Sequence, residues 1–198
     1  MRRKTFDALL TSAGLVLAIV LVAAGGLMLW AHNFVDDQVH SQLAAQKIFF
    51  PKAGSESLND PAVKPYLSQY AGQQLVTGAQ AEAYANHFIA VHINEMAGGK
   101  TYSQLSQESL ANPTDAKLAG QVQTVFRGET LRGLLLNAYA FDTMGMIAGI
   151  AAIAAYLAAA VLLVLGLLGL RHSRRVPTTE EIMTPHHRSG AASQLTTA

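Results

Sequence analysis

Hydrophobic and polar positions divide this chain into long uninterrupted apolar runs and a middle stretch with helical periodicity. From Ala8 to Val35, and again from Thr143 to Leu170, 28 residues each, no Asp, Glu, Lys or Arg occurs. A helix rises about 1.5 Å per residue, so about 20 apolar residues cross a hydrocarbon core about 30 Å thick. Both runs exceed that length, which predicts transmembrane helices over residues 8–31 and 143–170. Arg2, Arg3 and Lys4 resemble the start of a signal peptide. The apolar run behind them is about twice the usual secretory length, however, and no A-x-A-like cleavage site follows Trp30, so an uncleaved signal-anchor is expected. Phe6 and Trp30 mark the two interfaces of the first span, and Tyr139 and Phe141 the outer interface of the second.

Between the runs the apolar period is that of helices. Val35, Val39 and Leu43 continue one stripe past the first span, predicting helix to about Gln46, ended by Phe49, Phe50 and Pro51. Short helical pieces follow around Pro61 to Tyr70, then a turn at Thr77 and Gly78. A helix is expected over 79–97, stopped by Gly98 and Gly99, with Ala85, Phe88, Ile89, His92, Ile93 and Met96 on its buried arc. Thr101 and Gln104 form a capping-box pattern for a helix over 102–111. Asn112 followed by Pro113 then reads as the start of another helix. Beyond Asp115 a stripe from Leu118 through Val125, Leu131 and Leu135 leads into the second span, with Gly128 the expected break. No period-2 alternation is long enough for a strand. The fold class is therefore an all-α membrane protein whose middle domain, 32–142, is built on extensions of its two spans.

Charge orients this arrangement. Cations cluster before the first span and, as Arg171, Arg174 and Arg175, after the second, which places both termini, 1–7 and 171–198, in the cytoplasm. The middle domain is then extracytoplasmic and carries 7 Lys/Arg against 10 Asp/Glu, net −3. The tail, rich in Ser, Thr, Pro and His, is expected to be disordered. The chain has no cysteine, so disulfides, thiolate metal sites and Cys nucleophiles are excluded.

Small residues suggest where helices meet. Gly145 and Gly149 form a GxxxG in the second span, and Gly14, Ala18, Val22 and Gly26 recur at four-residue spacing in the first. Such residues let helices approach closely in lipid, either packing the two spans on each other or docking a second copy or another membrane subunit. His32, Asp36 and His40 lie at i, i+4, i+8 beyond the first span; neighbouring pairs could share a divalent metal, but three ligands spread over about 12 Å cannot hold one ion. His92 falls in an apolar arc, as a hydrogen-bonded core histidine or a pH-sensitive group, with Glu95 a possible partner and His87 on the opposite, polar face. Glu129 and Arg132, at i, i+3, can pair. No GxGxxG, P-loop, GxSxG or HExxH motif occurs.

The segments KTFDALLTSAGLVLAIVLVAAGGLMLWAHNFVDDQVHSQLAAQKIFFP, YAGQQLVTGAQAEAYANHFIAVH and FRGETLRGLLLNAYAF together resemble a family of small two-span actinobacterial membrane proteins. The resemblance covers the chain apart from its tail and implies no catalytic residues. A label attached to some members, subunit of an aromatic ring-opening dioxygenase, would require two His and a carboxylate to converge on iron, and the helical wheel separates His87 from His92. The expected protein is a non-enzymatic accessory or structural subunit. Its outer domain would bind an envelope component, a membrane protein or a second copy, without cofactor or nucleic acid. A metal- or pH-responsive sensor using His32, Asp36, His40 and His92 is the alternative.

Overall fold

The computed structural model describes residues 3–175, and all regular structure among them is helical. Two helices dominate: α1 (Arg3–Gln46) and α7 (Ala116–Ser173). Both are long and apolar enough to cross a membrane. Their 44 and 58 residues correspond to about 66 and 87 Å of helix, well beyond a bilayer core. Between them lie α2 (Glu56–Asn59), α3 (Lys64–Leu67) with a 3₁₀ turn over Ser68–Tyr70, α4 (Gly78–Tyr84), a π-helical turn over Ala85–Ile89, α5 (Ala90–Met96) and α6 (Tyr102–Ala111). The tail from residue 176 on lies outside the described residues, and α7 carries helix through Arg171 and His172 to Ser173, where the tail was expected to begin.

The chain forms two compact units, one taking in residues up to Gly25 and from Ile153 on, the other Gly26–Ala152. In the first unit the buried positions of α1 are Thr11, Ala18 and Gly25, and those of α7 are Ala159 and Gly166. This spacing is seven residues in both helices. Two helices held near 20° to each other keep a 3.5-residue period in contact, whereas four-residue steps drift by about 40° each. Gly25 meets the Tyr156 ring, Gly166 meets Leu15, and Gly169 meets Thr11.

The second unit holds the hydrophobic core. Val39 and Leu43 of α1 and Val125 and Leu135 of α7 line one side of it; Leu58, Val63, Leu67, Leu75 and Leu105 are supplied by the small helices and the loops between them. Each such side chain, fully buried, is worth about 1.5–3 kcal/mol. At the end of α1, Lys47 takes a left-handed φ of 53°. The chain then runs antiparallel to residues 72–75, with Leu75 N–H donating to the Ile48 carbonyl at 2.9 Å and Phe50 N–H to that of Gln73 at 2.9 Å. Gln74 Nε2 donates to the Ala44 carbonyl at 2.8 Å, satisfying one of the terminal acceptors that a helix end leaves open.

Two capping boxes fix helix starts. Thr101 and Gln104 cap α6 as the sequence pattern predicts, and Thr77 with Gln80 caps α4 in the same way. Within the expected helix over 79–97, Ala90 N–H bonds the Ala85 carbonyl five residues back, a π turn. That turn resets the register. Ala81, Ala85, Ile89, Ile93 and Ala97, four apart throughout, are all buried, although a strict α-helix would rotate such a row by about 40° at each step. The reset also overturns the expectation for Met96, which is 46% exposed, its place in the core taken by Ala97.

Two further expectations are corrected. Asn112 ends α6, its Nδ2 donating to the Glu108 carbonyl at 2.9 Å, and residues 113–114 form a turn. Helix resumes at Ala116, where Asp115 Oδ1 accepts from Leu118 N–H at 3.0 Å; a carboxylate there also complements the positive helix end. Gly128 does not break α7. A Cβ there would fall 2.5 Å from Ile93 Cδ1, so the glycine admits α5 against α7 rather than interrupting it.

Candidate functional site

The predicted site residues separate into distinct environments. In the second unit Gly145 and Gly149 present bare backbone to α1. A Cβ on Gly145 would lie 2.9 Å from Val35 Cγ1, and one on Gly149 3.1 Å from the His32 ring. The approach lets His32 Nδ1 donate to the Gly145 carbonyl across the two helices at 2.9 Å. Asp36, one turn along α1, is exposed, as is His40 two turns along.

Asp142 of α7 lies within electrostatic reach of His32 and Asp36. It is partly buried, and its carboxyl is raised above the ordinary aspartate range, chiefly by desolvation and then by the negative charge of Asp36, with His32 opposing. The start of α4 sits directly on it: a Cβ on Gly78 would overlap the Asp142 side chain. Sequence reasoning placed Asp142 only near the outer interface. Its available signal was position, as the last charged residue before the second uncharged run.

His92 lies apart from this cluster, its Nδ1 donating to the Phe88 carbonyl at 2.7 Å and its ring packed on Phe88. Its partner is thus its own helix backbone, not Glu95. His87 stacks on Tyr66 at 3.5 Å between centroids. Among the described residues no three His, Asp or Glu side chains are grouped so as to hold a metal ion. Glu129 and Arg132 do pair, at 3.4 Å, and Arg132 also donates to Asn86 Oδ1 at 3.2 Å.

The packing residues divide as well. Ala18 is buried and Gly26 half-buried beside the buried Gly25. Gly14 has nothing within 4 Å of its Cβ position and borders an open groove of about 700 Å³. The seven-residue row through Thr11, Ala18 and Gly25 leaves it off the contact face.

A second groove runs between α1 and α7 on the unit containing the small helices and encloses about 490 Å³. Val35, Val39, Leu43 and Ala138 form its floor, and none of the residues lining it is charged or a histidine.

The residues and their geometry define an all-helical protein with two helices able to span a membrane. No protein-family model, curated protein or solved structure matches the chain.

Proposed function

We propose that this chain is an integral membrane protein with both termini in the cytoplasm, whose helical domain over residues 32–142 faces outward and binds another envelope component without catalysing a reaction. The observation that carries this reading is the uncovered groove between α1 and α7. The small helices pack one side of the helix pair into the core, while Phe34, Leu134 and Phe141 on the groove side stay 51%, 58% and 57% exposed. Exposed apolar surface of this kind beside polar rims marks a binding face. The distribution of Lys and Arg about the spans supports the orientation.

Two measurements test the reading together. Reporter fusions after residue 198 and within 52–60 should report opposite sides of the membrane. Cross-linking in native membranes, followed by mild detergent extraction, should recover the chain attached to a lipid or protein component. A chain recovered alone under those conditions, or reporters on the same side, would count decisively against it.

A second reading, an acid-responsive envelope element, draws support from Asp142 beside Asp36 and His32 under the start of α4. Protonating Asp142 removes a charge from the place where α4 rests on α7. If neutralising substitutions at Asp142 leave the response of the domain over residues 32–142 to acid unchanged, that reading falls.

A further inference from the structure

We infer that the groove between α1 and α7 holds a single acyl chain of a membrane lipid. The inference rests on the proposed membrane placement and names the component bound there. Its first support is capacity. The stretch of α1 from Phe34 to Gln46 that borders the groove is about 18 Å long. About 490 Å³ lies open along that run, within the range of small-ligand pockets. Carbon atoms touch at about 3.5–4.0 Å, so a slender hydrocarbon chain can lie along the apolar floor in contact with both helices.

Length agrees. A hydrocarbon core about 30 Å thick allots about 15 Å to each leaflet's chains, close to the run of the groove. Chemistry agrees as well: the floor is apolar, and the rims carry only neutral amides, Gln38, Gln42 and Gln46 on α1 and Asn137 on α7. Gln42 Nε2 already donates to Gln38 Oε1 at 3.3 Å, and the remaining amide groups suit ester carbonyls rather than charged peptide side chains.

Continuity identifies the source of the chain. One end of the groove is formed by Phe34 and Phe141. Phe34 stacks on Trp30 at 5.6 Å, and Leu27 on α1 and Met144 on α7 continue the exposed apolar surface into the two uncharged runs. A lipid can therefore slide its chain from the bilayer into the groove without crossing a polar barrier.

Trp30 is the only tryptophan and is 64% exposed, so its fluorescence reads the membrane placement, and a single tryptophan moved to Leu134 reads the groove. The full chain is reconstituted in phosphatidylcholine vesicles whose acyl chains are brominated, and loss of tryptophan emission is measured for the native chain, W30F/L134W and W30F/F126W. Leu134 lies at the groove; Phe126, two turns away on the same helix, is also exposed but does not line it. The expected result is quenching of native Trp30 and of L134W, with F126W remaining bright. Adding A138F, which fills the floor, should restore the L134W emission. The inference is overturned if L134W is as bright as F126W, or if the two are quenched equally, since the whole face would then lie on lipid. A bright native Trp30 would overturn the membrane placement and this inference with it. The chain has no cysteine, so L134C alone reports on a second copy: a disulfide-linked dimer in the same vesicles would assign the groove to it and overturn the lipid.

Discussion

Replacing Gly128 with alanine tests the close approach of α5 to α7. In an exposed helix interior this substitution stabilises by about 1 kcal/mol through helix propensity alone. At Gly128 the new Cβ would stand 2.5 Å from Ile93 Cδ1 and 2.7 Å from Cγ1, against about 3.5–4.0 Å for carbons in contact. Ile93 is buried, so it yields only by disturbing its neighbours, and such overpacking costs about 1–3 kcal/mol. The net expectation is a loss of about 0–2 kcal/mol after the propensity gain is subtracted. Gly120 and Gly133 lie on the same helix with nothing within 4 Å of their Cβ positions, so alanine there should stabilise. Thermal midpoints of the full chain in one mild detergent decide the matter, since 1 kcal/mol corresponds to about 2–4 °C at this size. Gly120→Ala and Gly133→Ala should rise and Gly128→Ala should fall below both by about 1–3 kcal/mol. In an Ile93→Ala background, which removes both obstructing atoms, Gly128→Ala should behave like the controls. Equal gains at all three glycines in the native background would refute the reasoning.

Three other perturbations follow from the geometry. Asp142 has a folded-state pKa above its unfolded value, so folding favours the protonated carboxyl; that stabilisation is fully present below the unfolded pKa and is lost as pH rises through the folded one. Asp142→Asn should remove this part of the pH dependence of melting and raise the midpoint at neutral pH, and an unchanged slope would refute the assignment. Gln80 is 7% exposed and its Oε1 accepts from the Val76 and Thr77 N–H groups; Gln80→Ala leaves both donors unmet and should cost about 1–3 kcal/mol, measured by the same melts. A Cβ on Gly145 would lie 3.2 Å from that of Val35, near the separation a disulfide needs; the V35C/G145C chain should therefore oxidise within one molecule, and purely intermolecular cross-links would disprove the helix pairing.

Properties that depend on contiguous residues were legible from the sequence. An uncharged run of 28 residues fixes helix length against bilayer thickness wherever the rest of the chain goes. The Thr101–Gln104 box closes within four residues, and α6 starts where it predicts. The stripe through Val39 and Leu43 extended α1 past the first uncharged run because one helix face needs only its own period to be recognised.

Tertiary structure decided what those helices meet. Four-residue spacing made Gly14 a packing residue, but two helices sharing a seam keep a seven-residue row in contact, so Thr11, Ala18 and Gly25 form the face and Gly14 is left open. Gly128 carries the same local propensity whether it breaks a helix or admits Ile93; only the position of α5 distinguishes the two. The π turn over Ala85–Ile89 is likewise absent from any local pattern, and by resetting the register it buries Ala97 in place of Met96. Asp142 could not be singled out from its neighbours in the chain, because its environment comes from Gly78, Asp36 and His32, residues distant in sequence. The sequence by itself determined that this protein has two apolar helices long enough to cross a membrane and a helical middle region. Which residues face one another, and that an apolar groove stays open between α1 and α7, followed only from packing, since close contact depends on shapes that distant segments supply to each other.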